Sequence, residues 1–131
     1  MATVRDLIHR ALRKGRVVGE GQTPSPELVQ DALDELMDLA SMWAEVEGIE
    51  NTLPNSTLDT VVDEPRVVRS LIVYELAVLM AEEMDIEVPA VLARARDRRK
   101  GLAQSYFLND MRTGVDPALL PLTQPYDIGT S

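Results

Sequence analysis

The run LIVYELAVLMA at 71–81 constrains this chain more than any other stretch. Only Glu75 interrupts it with a charge. At helical spacing Leu71, Tyr74, Val78 and Leu79 share one face, while Ile72, Val73, Leu76 and Met80 fill the others. A helix that is apolar nearly all round has to be buried on most sides. The run is too short to cross a bilayer, which takes about 20 apolar residues. It therefore predicts the central helix of a bundle, with amphipathic neighbours as its covers. The expected class is all-α: a four-helix bundle with a long loop between helices two and three and an extended C-terminal tail. At 131 residues the chain suits one domain with a sizeable core.

The neighbouring segments carry the start and stop signals of helices. Thr3 and Asp6 form a capping box ahead of Val4, Leu7, Ile8, Ala11 and Leu12, which recur at helical spacing. Gly15 is a natural stop, and 16–24 should be a loop. Ser25 followed by Pro26 opens a second helix whose stripe is Val29, Leu33, Leu36, Ala40 and Trp43. Gly48 should end it, and the first two helices should pack as an antiparallel hairpin. The segment 49–63 holds Asn51, Pro54, Asn55 and Ser56, and reads as either a long loop or a short hairpin. Pro65 opens the third helix, expected to run to about Met84. Pro89 opens the fourth, expected to reach Asn109 or Asp110, with Val88, Leu92, Ala95, Leu102 and Tyr106 on one face. Gly101 is a weak point in it and a candidate kink.

Residues 1–110 should thus form the bundle and 111–131 a separate arm. Pro117, Pro121 and Pro125 block helix formation in the arm and favour a polyproline-like path. Yet the arm is apolar, unlike a solvated linker. Leu119, Leu120, Leu122, Tyr126 and Ile128 are the expected anchors, held by a neighbouring subunit or another protein.

The net charge is −9, which argues against the whole chain wrapping duplex DNA. The charge is also segregated. The first helix is basic and the second acidic. Arg94, Arg96, Arg98, Arg99 and Lys100 form a second basic cluster. A nucleic-acid patch is one reading of it, but no aromatic residues interleave with the cations. The favoured reading is a surface face that pairs with acids such as Asp31, Asp34, Glu35 and Asp38, in the same chain or in a neighbour. Complementary faces of this kind can close a head-to-tail ring of identical subunits.

No catalytic constellation stands out. The chain has no Cys, and His9 is its only histidine, expected on a partly exposed surface. No nucleophile elbow, Gly-rich phosphate loop or EF-hand spacing is present in the sequence. Acid pairs such as Asp34/Glu35 and Glu82/Glu83 are expected by number alone among 22 acidic residues. The expectation is a non-enzyme without cofactor or metal. No apolar leader opens the sequence, so synthesis without secretion is expected.

Several stretches together resemble one family. They are T-x-x-D-L-I-x-x-A-L at 3–12, G-x-x-P-S at 21–25, D-A-L-x-x-L at 31–36, Trp43 ahead of Gly48, and R-S-L-I-V-Y-E-L-A-V-x-M-A at 69–81. In this order, with a Pro-started fourth helix and an extended tail, they resemble the head-to-tail adaptor proteins of tailed bacteriophages. These are also called head completion, tail accessory or packaged-DNA stabilisation proteins. The likeness covers roughly residues 3–110. The chain departs from the family in its short segment after Gly48 and in Lys14-Gly15-Arg16, where an apolar-Gly-apolar turn is usual.

The resemblance implies a virion protein at the head-tail interface. It implies a ring, usually of twelve copies, beneath the portal protein ring. The bundle would build the ring, the tail would lock onto the portal, and the lower face would receive the tail tube or nozzle protein. Packaged DNA would pass through without sequence-specific binding, and no membrane is involved. The alternative is a small acidic helical regulator or DNA mimic that binds a host protein through the acidic second helix.

Overall fold

The computed structural model describes residues 2–113 of the chain. Four α-helices follow one another: α1 (Val4–Lys14), α2 (Pro26–Met42), α3 (Arg66–Glu83) and α4 (Ala90–Thr113), with a π-helical turn at Trp43–Glu47 closing α2. The architecture is an all-α bundle, with no strand among the described residues. The run at 71–81 lies in α3 and is the centre of the core. Leu71, Ile72, Leu76 and Ala77 are wholly buried, and Val73, Val78, Met80 and Ala81 nearly so. α1 and α4 make the broadest contacts with α3, while α2 touches both α1 and α3 over smaller areas. The first two helices therefore pair less closely than a simple hairpin predicts. Their common partner is α3, because it offers apolar side chains on every side. Truncating any of its large buried residues to Ala should cost about 2–5 kcal/mol.

The N-terminus of α1 is fully satisfied. The first four N–H groups of a helix lack partners within it. Here Val4 N donates to the Thr60 carbonyl at 2.9 Å, and Arg5 N donates to that of Leu58 at 3.0 Å. Asp6 N donates to Thr3 Oγ1, and Thr3 N donates in return to Asp6 Oδ2. Leu7 N donates to the Thr3 carbonyl. The segment between α2 and α3 is thus a loop laid across the start of α1, and an isolated antiparallel bridge joins Thr3 to Val61. Polar anchors hold the loop at its other end. Glu64, buried, accepts from Thr52 N at 2.9 Å and Thr52 Oγ1 at 2.6 Å. Asn51 Nδ2 donates to the Ala40 carbonyl at 3.0 Å. Ile49, Leu53 and Val62 fill the core beneath.

Helix ends differ from expectation in informative ways. The left-handed residue that ends α1 is Arg16 (φ 61°), not Gly15 (φ −81°). Val17 N donates to the Leu12 carbonyl and Arg16 N to that of Arg13, which is the hydrogen-bond pair of a Schellman cap. Gly15 has another reason to be small. A Cβ there would stand 2.5 Å from the Ala77 carbonyl oxygen, so it marks the close approach of α1 to α3. Gly48 does take the left-handed conformation (φ 72°), after the π turn.

Three expectations for α4 are corrected. It continues to Thr113, a turn beyond the expected end, and runs through Gly101 without a break. Its inward face is also different. Leu102 and Tyr106 are exposed, and Ala103 is the buried residue, with Leu92 and Phe107 packed against the core. The reason is electrostatic: Arg96 and Lys100 turn inward towards Glu75, and the apolar residues one position round are left outside.

Candidate functional site

Glu75, the one charge inside the apolar run, is buried. Arg96 Nη1 donates to its Oε2 at 2.8 Å, and Lys100 Nζ stands 2.9 Å from its Oε1 in an ion pair without hydrogen-bond alignment. Lys100 also reaches Glu47 Oε1 at 3.3 Å. The π turn presents Glu47 to α4, and the Glu47 carbonyl accepts from Gln104 Nε2. Burial works against the charges of Arg96 and Lys100, but Glu75, joined by Asp97 at Arg96 and by Glu47 at Lys100, outweighs it and holds both above their ordinary pKa values. Arg96 and Lys100 therefore fasten α4 to α3 within one chain. They do not meet Asp31, Asp34, Glu35 or Asp38, as an intrachain pairing of the basic cluster with the second helix would require.

The other members of that cluster diverge. Arg94 and Arg98 are exposed. Arg99 folds back over α3: its guanidinium stacks on the Tyr74 ring at 3.7 Å, Nε donates to Ser70 Oγ at 2.9 Å, and Nη1 donates to the Ala95 carbonyl at 3.2 Å. Lys14 from α1 approaches the same ring at 4.6 Å.

These contacts lie in a cleft that spacing did not reveal. α1 and α4 both pack on α3 and leave a strip of it open between them. The floor is Arg69, Ser70, Val73 and Tyr74; Arg10 and Lys14 come from α1, and Arg99 from α4. Arg66 stands at the start of α3 on the same cleft, whose volume is about 570 Å³. Two neighbouring hollows share lining residues with it, one at Arg16 and Pro89 and one at Arg98 and Leu102. No acidic residue lines any part of it. The hint in the sequence was the basic first helix. Nothing in the spacing of the sequence connects its cations with Arg66 or Arg69.

The acids gather elsewhere. Asp31, Asp34 and Glu35 of α2 face Glu83 of α3 across a second hollow, floored by Leu28, Met80 and Met84. Burial raises the pKa of Glu35, and the charges of Glu83, Asp38, Asp34 and Asp31 push the same way. No cation pairs with these carboxylates among the described residues. His9, partly buried beside Arg13 and Arg5, has its pKa lowered, chiefly by burial. No cluster of three or more His, Asp or Glu suited to a metal occurs among the described residues. No helix among them is long and apolar enough to cross a membrane. The expected arm anchors Leu119, Leu120, Leu122, Tyr126 and Ile128 lie outside the described residues.

Neither models of protein families nor curated proteins give a match to this chain.

Proposed function

We propose that the chain is a structural assembly subunit, the head-to-tail adaptor of a tailed bacteriophage. In this reading it forms a ring beneath the portal, extends the DNA channel, helps retain packaged DNA and receives the tail. The reading rests on the resemblance at 3–110, and the helices follow one another in the order that resemblance implies. The observation that carries it is the outer side of α4. Val91, Leu102, Tyr106 and Leu108 stand exposed there, with Arg94 and Arg98 among them. A face that mixes large apolar groups with arginine is typical of protein interfaces. In sequence α4 is followed by the apolar, Pro-punctuated segment 114–131, whose composition suits capture by a neighbour or a portal. Arg94 and Arg98 on one copy, and Asp31, Asp34, Glu35 and Asp38 on the next, supply charge complementarity for a head-to-tail contact.

The test is genetic. Particles assembled without the chain should package DNA, fail to acquire tails and lose the genome. Tailed, infectious particles lacking the chain would overturn the proposal.

A second reading is an acidic regulator or DNA mimic. The uncompensated acidic hollow between α2 and α3 favours it. It requires the acids of α2 to be the contact surface and makes the arm dispensable.

A further inference from the structure

We propose that the basic cleft over α3 is a binding site for phosphate oxyanions. This does not depend on the adaptor reading. A chain of net charge −9 would not be expected to collect cations around one hollow, because nothing in the fold rewards it. Arg10, Lys14, Arg66, Arg69 and Arg99 nevertheless line one cleft, drawn from three helices far apart in sequence. None has a carboxylate within ion-pair distance among the described residues. Five like charges brought together repel one another, and a bound polyanion would turn that cost into affinity.

The cleft is also organised. Ser70, Ala95 and the Tyr74 ring fix the Arg99 guanidinium, which leaves less side-chain entropy to lose when an oxyanion arrives. The side chains of Arg10, Arg66 and Arg69 have no hydrogen-bond partner among the described residues, so their forks are free to bind phosphate oxygens in pairs. The Ser70 hydroxyl and the polar edge of Tyr74 add neutral groups to the floor. A volume of about 570 Å³ falls within the range of small-ligand sites, and the two hollows that share residues with the cleft add neighbouring space for a longer polyanion.

The acids of a second copy fit less well. Asp31, Asp34, Glu35 and Glu83 themselves line a hollow, and two concave surfaces do not interdigitate. A slender polyanion has no such difficulty.

The test titrates the full-length chain with inorganic tripolyphosphate, in low salt and by calorimetry. A short DNA duplex and a peptide of residues 26–47 serve as alternative ligands. Arg10→Glu/Arg66→Glu changes two exposed cations whose side chains make no hydrogen bond or ion pair among the described residues, so circular dichroism should be unaltered. Arg94→Glu, outside the cleft, makes a single charge change as control. The expected result is saturable tripolyphosphate binding, weakened about tenfold or more by the double variant, the loss expected for one or more charge-assisted hydrogen bonds. Binding should survive in Arg94→Glu, fall less in Arg10→Lys/Arg66→Lys than in the Glu pair because charge is kept while the paired hydrogen bonds are lost, and weaken as salt rises. Competition by the duplex would identify a nucleic-acid backbone as the source of phosphate, and its absence a free polyphosphate. No saturable binding, or an equal loss in Arg94→Glu, would overturn the proposal. So would binding of the acidic peptide in place of phosphate, which would make the cleft a contact between copies.

Discussion

Arg96 Nη1 lies 2.8 Å from Glu75 Oε2, and this pair decides which way α4 faces. Without it, the apolar stripe through Leu102 and Tyr106 would be the better inward face. With it, those side chains stay exposed. Removing one member of a buried ion pair typically costs about 3–5 kcal/mol. Lys100 remains on Glu75 and Arg96 is a quarter exposed, so Arg96→Ala should cost less, about 1–3 kcal/mol. Urea unfolding of Arg96→Ala, Glu75→Gln and the double variant should give a coupling energy of about 1 kcal/mol or more. Additive losses would mean that the pair does not fasten α4.

Adjacent positions at the end of α1 should respond in opposite directions. Gly15→Ala places a Cβ against the Ala77 carbonyl, which must then move, and should destabilise by about 1–3 kcal/mol. Arg16→Gly relieves a left-handed non-glycine residue and should stabilise by about 1 kcal/mol. Thermal unfolding followed by circular dichroism reads both. A neutral Gly15→Ala would show that the α1–α3 approach is looser than 2.5 Å implies.

Gly101 has neither role. Nothing lies within 4 Å of a Cβ built on it, and α4 is unbroken there. Gly101→Ala should raise stability by up to about 1 kcal/mol, the helix-propensity difference. A loss, read by the same thermal unfolding, would mean that α4 needs to bend there.

Glu35 supplies a pH signature. Its pKa is raised in the folded chain by burial and by Glu83, Asp38, Asp34 and Asp31. The folded state therefore binds a proton more readily than the unfolded one. The ionised group weakens the fold fully above the folded pKa, and the penalty fades as pH falls through the ordinary carboxylate value of about 4.3. Glu35→Gln should stabilise the chain at pH 7 and make no difference near pH 3. His9, with a lowered pKa, acts in the opposite sense, losing stability as pH falls below about 6.5. It is common to both proteins and cancels in the difference between their denaturation midpoints. A stabilisation that persisted at pH 3 would point to packing and not charge.

The bundle was largely legible in the sequence because its helices announce themselves. Thr3 with Asp6 and Ser25 with Pro26 cap as their types require, and the apolar run of α3 left it nowhere to sit but the centre. The face of α4 was misread because apolar spacing was followed where charge pairing governs. α1 does stop at Gly15, its C-cap, but the reason for a glycine there is the close approach of α1 to α3, which only the partner helix reveals. The basic cleft was illegible for the same reason. Arg10, Arg66 and Arg99 are far apart in the chain, and only packing on α3 gathers them.

The most direct test of the adaptor proposal is native mass spectrometry of the encoding phage's portal ring mixed with the full-length chain or with a truncation ending at Thr113, where α4 ends. The account predicts about one full-length chain per portal subunit and none of the truncated chain. Full-length protein that leaves the portal ring bare would contradict it, and the acidic-regulator reading would take its place.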